Sequence, residues 1–256
     1  MLMRNVLNLD IAPLQRAPYS IAIEVKKIGC SRNAARAVEA TDADLEKIRA
    51  RGLQMHPAAG ICFRSRYLIT SEDTIEVQGA QTSGEVEFVA LRHRGQLFIS
   101  VGSDHNDRSL EDMWTAMLGK VYDSAKMKQL APALIAPVAW PYEEVKAHWD
   151  QIILRSYVSV NEEKIPYQEF PLANLLKLEY YLENCPWMAE EGSFLLGGSS
   201  SLVDELPEDL YQGQSTMAGV VFPPDFHCEM IDPVLGRKIT HAYAITALEE
   251  PGSLGL

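Results

Sequence analysis

Apolar and polar residues alternate over Tyr19–Ile28 (YSIAIEVKKI), about Ile61–Ile69, Thr74–Val77 and, most clearly, Val86–Val101. A period of two predicts strands with one face turned to a core. In the last stretch Arg94-Gly95 interrupts the pattern, and a two-residue loop containing Gly predicts a hairpin. His93 then pairs with Gln96, and Val86, Phe88 and Ala90 share an apolar face with Leu97, Ile99 and Val101. The other face carries Glu85 and Glu87, with Asp104 directly opposite Glu85. A three-residue loop would slip the pairing by one and put Ser103 or His105 there instead.

Helical spacing predicts four helices. These are Thr41–Arg51, with Thr41 as N-cap and Gly52 as stop, Ser109–Lys126, Pro141–Tyr157 and Leu172–Leu182. In the second, Trp114, Met117, Leu118 and Val121 form a core stripe. The fourth helix ends near Asn184-Cys185-Pro186, and the next forty or so residues, about forty in all and punctuated by Gly, Ser and Pro with GGSSS at 197–201, read as loops around short strands. Phe226–Ile231 and Ile239–Ala247 read as a closing strand pair around Asp232-Pro233. His241 shares a face with Ile239, Tyr243 and Ile245, the setting of a core histidine. The class expected is α+β and strand-rich, in one domain over 1–256: a strand–helix segment over 1–60 suited to form a lid, and a β-rich core over 61–250.

Composition narrows the functions. With 23 Lys and Arg against 35 Asp and Glu, the formal charge is −12. An acidic chain without a basic cluster is a poor partner for nucleic acid or anionic membrane. No apolar run reaches the length of a membrane span, and the N-terminus lacks the pattern of a signal peptide. Cys30, Cys62, Cys185 and Cys228 form no C-x-x-C pair and read as reduced thiols, so a cytoplasmic location is expected. No phosphate-binding Gly-rich loop, G-x-S-x-G or H-E-x-x-H occurs.

The candidate chemistry lies at the open end of the hairpin. Three close carboxylates repel, and one of them takes up a proton unless a cation is present. A divalent cation that prefers oxygen, Mg²⁺ or Mn²⁺ with Ca²⁺ also compatible, resolves the conflict. The plainer alternative is a solvated sheet edge, where such residues are common.

GEVEF at Gly84–Phe88, SDHNDR at Ser103–Arg108 and a lysine ahead of a Pro-terminated apolar segment resemble the fumarylacetoacetate hydrolase superfamily. The resemblance is closer to its DUF2848-type branch. It rests on four runs: Thr82–Glu87 (TSGEVE), Gly102–Glu111 (GSDHNDRSLE), Pro141–Asp150 (PYEEVKAHWD) and Asp232–Tyr243 (DPVLGRKITHAY). It spans about Tyr19 to Leu248.

The resemblance implies a distorted, rolled β-sandwich with about four peripheral helices, usually dimeric. It implies Glu85, Glu87 and Asp104 as metal ligands. Lys128 matches the active-site lysine, with Lys120 as the competing alignment. Arg108 matches the arginine of the Asp run and, with Lys120, Ser83 and Thr216, makes up the expected substrate-binding set. Hydrolytic members activate water with a Glu–His pair on an N-terminal lid; here that region offers only Glu46 and His56, and His105 is the other candidate base. The segment between the Glu pair and Asp104 is shorter than in better-known members.

The expected activity is a metal-dependent hydrolase or lyase. It would act on a C–C bond of a small 2-oxo acid or 1,3-dicarbonyl compound, with the metal stabilising an enolate. Decarboxylation, hydration and enol–keto isomerisation on the same platform are alternatives, as is a non-catalytic binding protein that kept the fold.

Overall fold

A computed structural model describes residues 4–36, 60–110, 124–200 and 221–248. The first strands are β1 (Val6–Ile11), β2 (Tyr19–Glu24), β3 (Lys27–Arg32), β4 (Gly60–Arg64), β5 (Ile69–Thr70), β6 (Thr74–Gln78) and β7 (Thr82–Ser83). The hairpin β8 (Val86–His93) and β9 (Gln96–Asp104) follows, then β10 (Asn106–Asp107), helix α1 (Ser124–Met127), β11 (Ala133–Ile135) and β12 (Val138–Pro141). Helix α2 (Tyr142–Val145) leads to β13 (Ile153–Val160) and β14 (Glu163–Pro171). Helix α3 (Leu178–Asn184), β15 (Ser193–Leu196), β16 (Asp225–Asp232) and β17 (Arg237–Leu248) complete the described chain.

A ten-stranded mixed sheet runs β2-β1-β12-β9-β8-β15-β3-β4, with β11 bonded to both β9 and β5. A five-stranded sheet runs β14-β13-β16-β17-β6, and β7 pairs with β10 alone. The hairpin is buried on both faces. Val86, Phe88, Ala90, Ile99 and Val101 pack toward the second sheet, with Leu154, Phe226 and Tyr243. Val89, Leu91 and Phe98 join Ile28, Cys30, Cys62, Phe194 and Leu196 in a second core. β14 contains Pro166 at a register shift opposite Ser156/Tyr157, on an edge strand where a missing N–H is tolerated.

Four expectations need correction. The helix predicted over Pro141–Tyr157 is short: α2 passes into a 3₁₀ segment over Lys146–Gln151, where His148 has φ −127°, and the chain then becomes β13. The residues ILRSYVSV alternate, and Leu154, Ser156 and Val158 point inward, so strand period and sheet pairing prevail over helical spacing. The helix predicted over Leu172–Leu182 is broken between Leu172–Asn174 and α3, because Leu176 N–H donates to Ala34 O (2.7 Å) and Leu175 bridges Ala35. Tyr19–Ile28 is two strands: the Val25 N–H turns to Asn5 O and the Lys26 N–H to Gly192 O. The stretch Ile61–Ile69 likewise divides into β4 and β5.

The predicted helix Thr41–Arg51 and most of Ser109–Lys126 lie outside the described residues. Cys30, Cys62, Cys185 and Cys228 are all free thiols. No helix among the described residues is long and apolar enough to cross a membrane.

Candidate functional site

The hairpin turn sets the site's register. Arg94 (φ 49°) and Gly95 (φ 76°) both take the left-handed conformation that a type I′ turn requires. His93 pairs with Gln96 and Val86 with Ser103, the register expected from a two-residue loop. One step further, the Asp104 N–H donates to Glu85 O at 3.0 Å. Glu85, Glu87 and Asp104 therefore meet on one face, with an oxygen of each within 4.8 Å of the others. Glu87 is 2% exposed and Asp104 0%, which rules out a solvated sheet edge.

Cations bracket the cluster. Arg64 on β4 donates through Nη2 to Asp104 Oδ1 (2.7 Å), and Lys128 Nζ pairs with Asp104 Oδ2. Arg64 Nε also donates to the Lys128 carbonyl. β4 is four places from β9 in the sheet, so this contact needs the sheet to curl; β11, bonded to β9 and β5, draws the edges together. Gly102 permits that approach: a Cβ there would lie 2.1 Å from Leu134 O. On the other side, Arg108 Nη2 donates to Glu85 Oε1 (2.6 Å) and Nε to Ser83 Oγ (2.7 Å).

The carboxyls respond differently. Burial opposes the charge on Glu85, but Arg108, Lys128 and Arg64 outweigh it and hold the group below its usual range. Glu87 is pushed up to about 7, by burial first and by neighbouring Glu85 as well, against Lys128 and the Gly198 N–H. That N–H donates to Glu87 Oε2 at 2.8 Å from the glycine-serine loop after β15. Gln168 ties this loop to the hairpin: its Oε1 accepts the Val86 N–H (2.9 Å), and its Nε2 donates to Ser199 Oγ (2.8 Å).

The donor set suits a hard divalent cation. Three carboxylates converge, and no nitrogen or sulfur ligand joins the cluster among the described residues. Glu87, whose carboxyl burial raises despite Lys128 and the Gly198 N–H, is the member that a cation would relieve most.

Of the other candidates, His105 is not brought to the carboxylates. Its Nε2 meets Thr82 Oγ1 (2.8 Å) and its Nδ1 meets Tyr243 OH (3.0 Å), on the opposite face of β9. Burial, then Arg108 and Arg64, lowers its pKa to about 3, so it stays neutral. His56, Lys120 and Thr216 lie outside the described residues.

Sequence reasoning missed Arg64, Gly198 and Gln168. For Arg64 a signal existed: Cys62 and Arg64 occupy the inward phase of an alternating strand, and an arginine there demands a buried partner. For Gly198 and Gln168 no local pattern exists, since each acts across more than 80 positions of chain.

The runs Pro141–Asp150 and Asp232–Tyr243 build a different centre. Asp232 is fully buried; its Oδ1 accepts the N–H groups of Val234 and Leu235 (both 3.1 Å) and lies 3.0 Å from His148 Nε2. Arg237 contacts Asp232 Oδ2 (3.4 Å), donates to Glu144 Oε2 (2.8 Å) and stacks on Trp140. A cleft of about 620 Å³ lies beside it near the hairpin turn, lined by Leu14, Arg92, Gly95, Glu144 and Leu235. Glu144 and Arg92 there are already bonded within the protein.

No curated protein matches the sequence. Three solved structures share the fold at low identity. Cg1458 is 12% identical, with 88% of this chain and 77% of that one covered and a TM-score of 0.57. Yeast ynq8, a fumarylacetoacetate hydrolase family protein, is 15% identical, with 89% and 95% covered and a TM-score of 0.55. A 2-keto-3-deoxy-D-arabinonate dehydratase complexed with magnesium and 2,5-dioxopentanoate is 14% identical, with 88% and 74% covered and a TM-score of 0.52. The family described as "Protein of unknown function (DUF2848)" matches residues 32–243, which include all four motif runs. The chain belongs to the DUF2848 family and has the fold of the fumarylacetoacetate hydrolase proteins.

Proposed function

We propose that this protein is a divalent-metal-dependent enzyme that breaks a C–C bond of a small 2-oxo acid or 1,3-dicarbonyl compound. The observation that carries the reading is the buried triad Glu85, Glu87 and Asp104, bracketed by Arg64, Lys128 and Arg108. Three carboxylates balance three cations, so a bound divalent ion leaves two positive charges for the substrate. A 2-oxo acid matches that demand, with one charge on its carboxylate and a second on the oxygen that becomes enolate. Such an ion supplies Lewis-acid stabilisation of the enolate. In this reading Lys128 neutralises the substrate carboxylate, and Arg108 orients Glu85. Arg64 fixes both Asp104 and the Lys128 backbone. The dehydratase with this fold was solved with magnesium and a dioxo acid, which supports this substrate class.

A second reading, a lyase or decarboxylase that activates no water, is favoured by the histidines. His93 pairs with Glu191, His148 with Asp232 and His227 with Asp225, while His105 bonds Thr82 and Tyr243 and His241 contacts Glu72 O. Each described histidine is thus engaged away from the triad, and hydrolysis would draw its base from elsewhere.

The test is thermal unfolding with chelator, Mg²⁺ or Mn²⁺, on wild type and Glu85→Ala, followed by a screen of 2-oxo acids. An ion at a hundredfold excess over Kd stabilises by about 2.7 kcal/mol. A rise in wild type that the variant lacks is the expected result; no rise in either protein would sink the metal assignment.

A further inference from the structure

Beside the triad, in the core formed by the same sheet face, lie two thiols that the proposed chemistry does not use. Cys30 on β3 and Cys62 on β4 are directly opposed in an antiparallel pair and both are buried. They continue a row across the sheet, in which Val89 pairs with Leu196 and Leu196 with Cys30. Glu87 is two residues from Val89 on that face, and Arg64 is two residues from Cys62. The Cys62 thiol donates to the Cys30 carbonyl oxygen at 3.6 Å.

We propose that Cys30 and Cys62 form a redox site, closing reversibly to a cross-strand disulfide when a hydroperoxide enters. Directly opposed residues in antiparallel strands have Cα atoms about 4.5 or 5.5 Å apart, within the range of about 4.4–6.8 Å that a disulfide spans. The asymmetry of the pair assigns the order of events. The neighbouring Cys30 side chain lowers the Cys62 thiol to about 6 against the effect of burial, with Lys128, Arg32 and Arg64 adding to it. Cys30 is raised, by the Cys62 side chain and by burial. Cys62 thiolate therefore attacks the peroxide oxygen, breaking the O–O bond, to give the sulfenic acid and hydroxide. Cys30 sulfur then attacks Cys62 sulfur, the S–O bond breaks, and the proton from Cys30 leaves with the oxygen as water. Two thiols and one hydrogen peroxide become one disulfide and two waters. Cys228 is raised to about 12 by burial and Cys185 is also raised, so neither competes as thiolate.

Closure locks β3 to β4 beside Arg64 and removes the sulfur charge that faces Lys128 and Arg64. The consequence for the triad rests on the metal reading above; the disulfide itself does not. The full-length protein is treated with hydrogen peroxide, and its intact mass and thiol peptides are compared before and after dithiothreitol. The expected result is loss of two hydrogens, a single Cys30–Cys62 cross-linked peptide, and full reversal. Peroxide that leaves all four thiols free, oxidises one cysteine to the sulfinic acid, or links Cys185 or Cys228 overturns the proposal. Cys62→Ala is expected to abolish the mass loss, and the wild-type peptide map decides the question without it. In the second arm, Mn²⁺ is expected to bind the oxidised form about tenfold more weakly than the reduced form. Equal affinities overturn the coupling to Arg64. Absence of Mn²⁺ binding to the reduced protein overturns the coupling and the metal reading together, while the mass arm still decides the disulfide.

Discussion

Among the described residues, acidic side chains are buried at two centres, which differ in what surrounds them. Asp232 is enclosed by its own neighbourhood: the Val234 and Leu235 N–H groups and Arg237 donate to it, and the His148 ring lies 3.0 Å away. Burial opposes its charge, yet the Leu235 N–H, His148 and Arg237 prevail and hold its carboxyl below the usual range. Glu87 is buried nearly as completely, and burial, with Glu85 beside it, raises its carboxyl to about 7 against the Gly198 N–H and the charge of Lys128. A buried carboxylate is therefore not by itself a functional signal. What separates a structural acid from a ligand site is how far the protein's own donors satisfy it.

Four substitutions sharpen or break this comparison. The largest effect is expected for Asp104→Asn, which leaves Arg64 and Lys128 facing a neutral partner; breaking a buried pair in this way costs about 3–5 kcal/mol. Denaturant unfolding of the metal-free protein measures it, and a loss under 1 kcal/mol would show that the bracket around Asp104 contributes little. Glu87→Gln is next. It should leave the metal-free protein as stable as wild type, since Gln still accepts the Gly198 N–H, while removing the roughly 2.7 kcal/mol of stabilisation by excess Mn²⁺. An undiminished Mn²⁺ response in that variant would put Glu87 in the same structural class as Asp232.

Asp232→Asn is expected to cost about 1–3 kcal/mol while the Mn²⁺ response stays intact; a lost response would mean that the two centres are coupled. Arg64→Lys keeps the charge but loses the bond to the Lys128 carbonyl. Calorimetry should show Mn²⁺ affinity falling by about 10–100-fold, as for an outer partner of a metal ligand, with a stability change near 1 kcal/mol.

The hairpin and its acidic end were legible because both depend on near neighbours. Turn chemistry at Arg94-Gly95 fixes the register, and a period of two then decides which side chains share a face. The motif offered Lys128 and Lys120; the structure brings Lys128 to Asp104, and Lys120 lies outside the described residues. The segment Pro141–Tyr157 was misread as a helix because Tyr142, Val145, Trp149 and Ile152 fit helical spacing, whereas Leu154, Ser156 and Val158 answer to β14 and β16. Two of the motif runs could not be sorted by pattern into catalytic and structural. Pro141–Asp150 and Asp232–Tyr243 contain His148, Asp232 and Arg237, residue types common in active sites, and they secure a turn.

The sequence by itself determined the strand-rich class, the hairpin register, the convergence of Glu85, Glu87 and Asp104, and membership of the family. These follow from alternation, one turn and short motifs, all local in the chain. Only the tertiary structure decided that Arg64 closes over Asp104, that Gly198 meets Glu87, and that Cys30 faces Cys62. Those contacts join residues 32 to 111 positions apart. They exist because a ten-stranded sheet curls until its fourth strand reaches its ninth, and no local pattern encodes that curvature.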